Sequence, residues 1–151
     1  RAFGAVGRIS PNYVTQDGVV PRSKLPEIMH FIRATSEKFE LRIPNVFHAG
    51  DGNIHPLILF DERQTGEVQR ALAAGQEILE KCIALGGSVT GEHGIGAEKI
   101  DLMAKQFSTD DLEAMKTLRH AFDPDKRCNP HKIFPGSKRC AEFTPRKQAA
   151  A

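Results

Sequence analysis

The stretch IPNVFHAGDGNIHPLILF, residues 43–60, contains the strongest signal for the fold. Two apolar runs, Ile43–His48 and Ile54–Phe60, flank the glycine-rich segment AGDGN. An Asp-Gly pair between two apolar runs is typical of a β-hairpin. Gly50 and Gly52 are expected to turn the backbone with positive φ. The stretch therefore predicts two antiparallel strands joined by a tight loop.

Further elements are predicted on both sides of this hairpin. Upstream, residues 1–10 and 13–20 are predicted as short strands, and residues 23–40 as a helix capped by Ser23. Downstream, the pattern predicts a helix over 64–85, a short strand over 88–90, and helices over 97–106 and 108–122. The order of strand, helix, two strands, helix and strand indicates an α+β fold with helices on one face of an antiparallel sheet.

Composition narrows the class of protein. The chain has 151 residues, 40% of them hydrophobic and 26% charged, which fits one globular domain. A net charge of +2, no tryptophan and one tyrosine disfavour nucleic-acid binding. No apolar run approaches the ~20 residues of a membrane-spanning helix, and no signal peptide is recognisable. Three widely spaced cysteines suit neither a disulfide framework nor a structural zinc site, so we expect a cytoplasmic protein.

Two histidines flank the predicted hairpin loop. His48 and His55 are expected to lie close together on the two arms, at a separation that suits two imidazoles on one divalent ion. A second polar cluster, GEHGIG at residues 91–96, contributes Glu92 and His93, which would point to opposite faces of an extended segment. Two histidines and one carboxylate would leave coordination positions open for substrate. The same histidines could equally be ordinary surface or hydrogen-bonded residues, and GEHGIG lacks the spacing of a dinucleotide-binding loop.

A third cluster, FDPDKRCNPHKIFP at residues 122–135, follows the last predicted helix. Its prolines suit a simple chain reversal. Alternatively, Asn129 or Lys132 reaches a bound cofactor or a substrate anion.

These segments together resemble the C-terminal portion of the FAD-linked oxidases, the family of the glycolate oxidase flavin subunit and D-lactate dehydrogenase. HAGDGNIHP and GEHGIG are specific in combination, and AVGRISPNYVTQDGVVPRSKLPEI and AFDPDKRCNPHKIFP also match in family order. The resemblance implies an enzyme that oxidises a small 2-hydroxy acid to the 2-oxo acid. FAD would be bound mainly by an N-terminal domain absent from this chain.

The resemblance also implies a role for each site residue. His48, His55 and Glu92 match the metal ligands, for zinc, manganese or iron. His93 matches the base that accepts the proton of the substrate hydroxyl, and Asn129 falls in a turn close to the flavin.

Three parts of the chain are expected from the resemblance. Residues 1–107 would be the C-terminal part of a ferredoxin-like cap domain that binds substrate and metal. Residues 108–143 would be a helical segment that returns to the flavin domain, and residues 144–151 a frayed tail. Such a piece would be inactive alone. Iron–sulfur subunits or another electron acceptor would be partners, and through them the protein would lie at the membrane periphery.

Two departures from the family pattern affect the expected substrate and turn. The usual NPGK turn is here Asn129-Pro130-His131-Lys132, which changes its backbone path. Thr15 stands where the D-2-hydroxyglutarate branch has lysine, which favours a smaller acid such as glycolate or lactate.

Two other classes of function remain open from the sequence. One is a stand-alone metal-binding or interaction module without catalysis. The other is a metallohydrolase that uses Glu92 or His93 with a metal-bound water.

Overall fold

The computed structural model describes residues 2–136 and confirms the predicted α+β class. In chain order the helices and strands are α1 (Ala2–Val6), β1 (Asn12–Thr15), β2 (Gly18–Val19), α2 (Leu25–Phe39), β3 (Asn45–His48), β4 (Asn53–Phe60), α3 (Glu67–Ala84), α4 (Ile100–Gln106) and α5 (Thr109–Phe122). The predicted frayed tail, residues 144–151, lies outside the described residues, as does the end of the predicted helical segment beyond residue 136. The described residues fall into two compact units whose boundary lies between Gly94 and Ile95.

Strand β4 is the centre of the sheet in the first unit. It pairs antiparallel with β1, β2 and β3. Both β2 and β3 pair with Asn53 and Ile54, so these two strands lie on opposite edges of β4. The β3–β4 pair is the predicted hairpin, and its connection is AGDG, residues 49–52, because Asn53 already belongs to β4.

The predicted strand over residues 13–20 is interrupted, and Pro56 explains the interruption. Thr15 pairs with Leu57 and Gly18 pairs with Ile54, so β1 and β2 follow one continuous register along β4. Between them, the Gln16 N–H donates to the Pro56 carbonyl over 2.9 Å. Proline has no N–H to return the bond, so the ladder breaks at this position.

The connection of the strands is that of a ferredoxin-like fold. Ser88 forms an isolated antiparallel bridge with Val19, so the chain after α3 returns to the free edge of β2. The resulting order is β-α-β-β-α-β when β1 and β2 count as one strand and this bridge as the last. The predicted strand over residues 88–90 is thereby reduced to a single bridge residue.

One face of the sheet carries the main core. Helices α2 and α3 pack against each other and α3 packs on β4. Ile54 and Ile58 of β4 are fully buried there, together with Ile28, Ile32 and Ile78 of the two helices. Burying aliphatic side chains of this size stabilises the fold by about 1.5–3 kcal/mol each. The helices therefore leave the opposite face of the sheet for other contacts.

The opposite face of the sheet carries a small apolar cluster to which α1 contributes. Val6 packs on Leu57 and Leu59, and Val46 lies at the edge of the cluster. The predicted strand over residues 1–10 is wrong, because residues 2–6 form this one-turn helix. Weak alternation over so short a segment is compatible with either structure, and packing of Val6 on the sheet determines the outcome.

The predicted N-cap of α2 is absent, whereas α5 has a complete N-cap. Ser23 does not cap α2, because it lies in a 3-10 turn (Arg22–Lys24) and no side chain caps the helix. Ser108 does cap α5: it accepts a hydrogen bond from the Asp111 N–H, and the Asp111 side chain accepts one from the Ser108 N–H. This reciprocal capping box satisfies two otherwise unpaired N–H groups.

The second unit contains α4 and α5, which pack against each other. The chain after α5, residues 123–136, has no helix or strand, as its prolines predict. Within the described part of the chain, no helix is both long and apolar enough to cross a membrane.

Gly87 is predicted to be indispensable where the chain returns to the sheet. A Cβ at this position would lie 1.8 Å from the Val19 carbonyl oxygen. Gly87→Ala should therefore lower the free energy of unfolding by about 1–3 kcal/mol or more. Gly50→Ala is the matched control, since nothing lies within 4 Å of its Cβ position. Denaturant unfolding of both variants checks this, and equal midpoints would contradict it.

Candidate metal centre

Three side chains from separate parts of the first unit converge at one end of the sheet. The nearest ligand atoms of His48, His55 and Glu92 all lie within 4.8 Å of one another. Glu92 Oε1 is 3.4 Å from His48 Nε2, and Glu92 Oε2 is 3.9 Å from His55 Nε2. Two ligand atoms about 2.0–2.2 Å from a common ion are at most ~4.4 Å apart, and the separations of 3.4 and 3.9 Å are within this limit. The donor set of two imidazoles and a carboxylate thus fits a divalent ion.

The hairpin register brings the two histidines together. His48 pairs with Asn53, and His55 is two residues further along β4, so the histidines are diagonal neighbours on one face. Their ring centroids are 5.4 Å apart, with the rings nearly perpendicular. They are not directly opposite, since Val46 is the register partner of His55.

The loop of the hairpin depends on Gly52. This residue has φ +74°, and a Cβ there would lie 2.0 Å from the Val20 carbonyl oxygen. Gly50 does not adopt positive φ, which corrects the prediction for that residue. One glycine of the loop therefore supplies both the turn and the close approach to the neighbouring chain.

Burial differs among the three converging residues. His55 is only 6% exposed, whereas the side chains of His48 and Glu92 are each 54% exposed. The cluster is therefore anchored on the sheet at His55 and open to solvent at the other two residues. An open side is what a substrate-binding site needs and what a closed structural site lacks.

The segment that contains Glu92 wraps around a buried carboxylate, that of Asp17. Asp17 Oδ2 accepts hydrogen bonds from Thr90 Oγ1 at 2.6 Å, and from the N–H groups of Gly91, Glu92 and His93 at 2.9, 3.1 and 2.9 Å. Three successive N–H groups directed at one oxygen form an anion-binding concavity, here filled by a side chain.

These hydrogen bonds determine the protonation state of Asp17. Burial alone would raise the pKa of the carboxyl group. The bonds from Thr90 and from the N–H groups of His93, Glu92 and Gly91 outweigh burial and hold the pKa well below its usual range. Asp17 is therefore a carboxylate at neutral pH.

The side chains of His93 and Glu92 both approach His55, which corrects the prediction that the two point to opposite faces. The rings of His93 and His55 are stacked, with centroids 5.2 Å apart and 15° between the planes. The prediction assumed an extended segment, but residues 91–93 bend around Asp17. Consequently, Glu92 and His93 both lie beside His55.

The loop N–H groups show that GEHGIG is not a phosphate cradle. The N–H groups of residues 91–93 that a diphosphate would need already donate to Asp17. The segment also fails to start a helix, since α4 begins only at Ile100. These residues therefore do not fit the phosphates of FAD, in agreement with the sequence spacing.

Asp17 and Asn53 contribute to the site and were missed as site residues from the sequence alone. Asp17 lies in an Asp-Gly pair after a strand, a common turn signal that gives no indication of burial. The Asn53 side chain is buried, and its Oδ1 has no hydrogen-bond partner among the described residues. The sequence predicts Asn53 as the last residue of the hairpin loop, but it is the first residue of β4, so its burial could not be anticipated.

Asn129 lies in the second compact unit. It is exposed and adopts φ +48°, and its carbonyl accepts a hydrogen bond from Arg119 at 2.7 Å. Arg119 also donates to the carbonyls of Cys128 and Lys132. One guanidinium thus organises the proline-rich turn, a role that sequence spacing did not predict.

A steric test of the site geometry uses Gly91 and Asn53. A Cβ on Gly91 would lie 2.8 Å from the Asn53 amide carbon and nitrogen. Gly91→Ala should cost about 1–3 kcal/mol of stability, because the buried amide cannot move freely. Much of this cost should disappear in an Asn53→Ala background, with a coupling energy of about 0.5–3 kcal/mol. A double-mutant cycle of unfolding free energies measures it, and strict additivity would contradict the contact.

Comparison with known proteins identifies the family. A family model described as "FAD linked oxidases, C-terminal domain" matches residues 1–133. The chain is 53% identical over 142 residues to "Glycolate oxidase subunit GlcD" of Escherichia coli (strain K12), covering 94% of this chain and 28% of that protein. It is 39% identical over 133 residues to the protein of the same name from Bacillus subtilis (strain 168), covering 88% and 28%.

A more distant relative has a different name. "Probable D-lactate dehydrogenase, mitochondrial" of Danio rerio is 37% identical over 118 residues, covering 78% of this chain and 24% of that protein. The chain spans less than a third of the length of each of these relatives. Since the family model covers most of its residues, the chain belongs to the FAD linked oxidases, whose C-terminal domain it contains.

Proposed function

We propose that this chain is the substrate- and metal-binding part of an FAD-dependent enzyme that oxidises a small 2-hydroxy acid to the 2-oxo acid. The observation that supports it most is the convergence of His48, His55 and Glu92 beside the stacked ring of His93. The names of the relatives, glycolate oxidase subunit and D-lactate dehydrogenase, support glycolate or D-lactate as the substrate type.

His48, His55 and Glu92 would hold the ion, which we expect to be zinc, manganese or iron. A divalent ion bound there supplies Lewis acidity towards the hydroxyl and carboxylate oxygens of a 2-hydroxy acid. Two imidazoles and one carboxylate leave positions free for these oxygens. The exposed side chains of His48 and Glu92 give a small acid access to this side of the cluster.

His93 is proposed as the catalytic base. Its neutral imidazole would accept the proton of the substrate hydroxyl as the Cα–H bond breaks. The ring lies against His55, so a hydroxyl held near the three ligands would be close to it. His93 is also exposed in its loop, which leaves a route for the proton to reach solvent.

The rest of the reaction needs a part of the protein beyond this chain. FAD, bound mainly by that part, supplies the acceptor for the hydride. Asn129, exposed in its turn, is proposed to contact the flavin, and residues 108–143 to return to the flavin domain while residues 1–107 bind substrate. Leu118 and Phe122, one turn apart on α5, are 63% and 83% exposed, which supports a covering partner.

Partner subunits and location complete the proposal. A relative named as a subunit supports additional chains, such as iron–sulfur proteins, as electron acceptors. The enzyme would then work in the cytoplasm, at the membrane periphery if its partners bind there. The chain alone would be inactive.

Metal content provides the first test of this function. In the full-length protein, His48→Ala/His55→Ala should abolish the binding of a stoichiometric divalent ion, because one carboxylate remains of the three ligands. His30→Ala is the control, since His30 is exposed on α2. Elemental analysis of all three proteins measures the effect. Equal metal content in the double variant and the wild type would contradict the ligand assignment.

The role of His93 is tested separately. His93→Gln should lower kcat for glycolate or D-lactate by about 10²–10⁴-fold, because the proton acceptor is lost, while metal content stays unchanged. Steady-state turnover with an artificial electron acceptor measures it, with His30→Gln as the matched control. Loss of the metal in His93→Gln would make His93 a ligand, and an unchanged kcat would remove it from the mechanism.

A further inference from the structure

Asp17 lies between His55 and the loop that carries Glu92 and His93. It is fully buried in the break between β1 and β2, one residue beyond Gln16. The loop that begins at Thr90 donates hydrogen bonds to it, and two of the donors are the N–H groups of Glu92 and His93. The backbone of both candidate site residues is therefore attached to one carboxylate.

This attachment restricts where the two side chains can go. Bonds of 3.1 and 2.9 Å fix the N–H groups of Glu92 and His93 relative to the sheet. Only side-chain rotation then remains, and the ring of His93 is further held by stacking on His55. Without the carboxylate, three successive N–H groups would lose their acceptor, and the loop would have to find another path.

Asp17 also borders the histidine that anchors the cluster. Its Oδ1 is 3.9 Å from His55 Nδ1, while His55 Nε2 faces Glu92. This separation is longer than a hydrogen bond. A carboxylate on this side favours the tautomer with its proton on Nδ1, which leaves Nε2 free to bind an ion. The imidazole therefore lies between the buried carboxylate and the candidate ligand Glu92.

We propose that Asp17 is the positioning residue of this site: it holds Glu92 and His93 in place through their backbone and orients His55 from its far side. The proposal rests on the proposed function, because it assigns Asp17 to the geometry of that same metal centre. Asp17 itself touches neither the ion nor the substrate.

A role in folding alone makes a different prediction. If Asp17 only stabilised the loop, a folded variant without its charge would bind metal with unchanged affinity and unchanged ligand geometry. If Asp17 positions the ligands, both properties should change in a protein that is still folded. Outer-shell partners of this kind typically contribute about 10–100-fold to metal affinity.

The experiment measures Co²⁺ binding to the metal-free full-length protein by absorption spectroscopy, which reports affinity and ligand geometry together. Asp17→Asn should raise the Kd for Co²⁺ about 10–100-fold and alter the Co²⁺ spectrum, with thermal unfolding confirming a folded protein. Asp61→Asn is the matched control, because Asp61 also accepts a backbone N–H, at the opposite end of β4. It should leave both readouts unchanged.

A second variant decides the matter if Asp17→Asn does not fold. Thr90→Val removes the 2.6 Å hydrogen bond to Asp17, together with the one that the hydroxyl accepts from the Gly94 N–H, but keeps the carboxylate. It should weaken Co²⁺ binding and shift the spectrum, by less than Asp17→Asn. Thr35→Val is its control, since the Thr35 hydroxyl donates to the Phe31 carbonyl within α2.

The outcomes separate this inference from the proposed function. If the wild-type protein binds no Co²⁺, the metal centre and the inference both fall. If the wild type binds Co²⁺ and a folded Asp17→Asn or Thr90→Val variant shows the same Kd and spectrum, the inference alone is overturned. A raised Kd with a changed spectrum, absent from both controls, supports it.

Discussion

The register between β3 and β4 is the constraint on which the rest of this chain depends. Strand β4 is buried on both faces, with Ile54 and Ile58 packed under the helices and His55 on the other side. A shift by one residue would exchange these faces, placing an imidazole in the aliphatic core and an isoleucine at the site. The hydrophobic requirement of the core and the polar requirement of the site are therefore met by a single alignment.

Much of the fold follows from patterns that act locally. The hairpin and the helices α2, α3 and α5 are evident from apolar spacing and turn residues, because each signal lies within its own segment. The errors lie where a distant contact determines the structure. Residues 2–6 form a helix because Val6 meets the sheet, and the strand over 13–20 breaks because Pro56, some 40 residues away, lacks an N–H.

The candidate site was predictable to a similar extent. His48 and His55 could be paired because a hairpin brings its own arms together, and Glu92 was a candidate third ligand from its polar cluster, but its choice over His93 came from the family resemblance. The placement of His93 could not be obtained from the sequence, since it depends on a bend around Asp17, and one buried aspartate among many acidic residues gives no signal. Tertiary hydrogen bonds, rather than local spacing, determine how residues 90–93 are oriented.

The uneven burial of the three converging residues has a consequence for the lifetime of a bound ion. His55 is almost inaccessible, whereas His48 and Glu92 face water. Under the proposed function, exchange would proceed from the exposed side, with His55 the last ligand to release. Under that function such a centre would be labile: chelators in a purification buffer would strip it, and the metal recovered would reflect supply during growth as much as intrinsic preference.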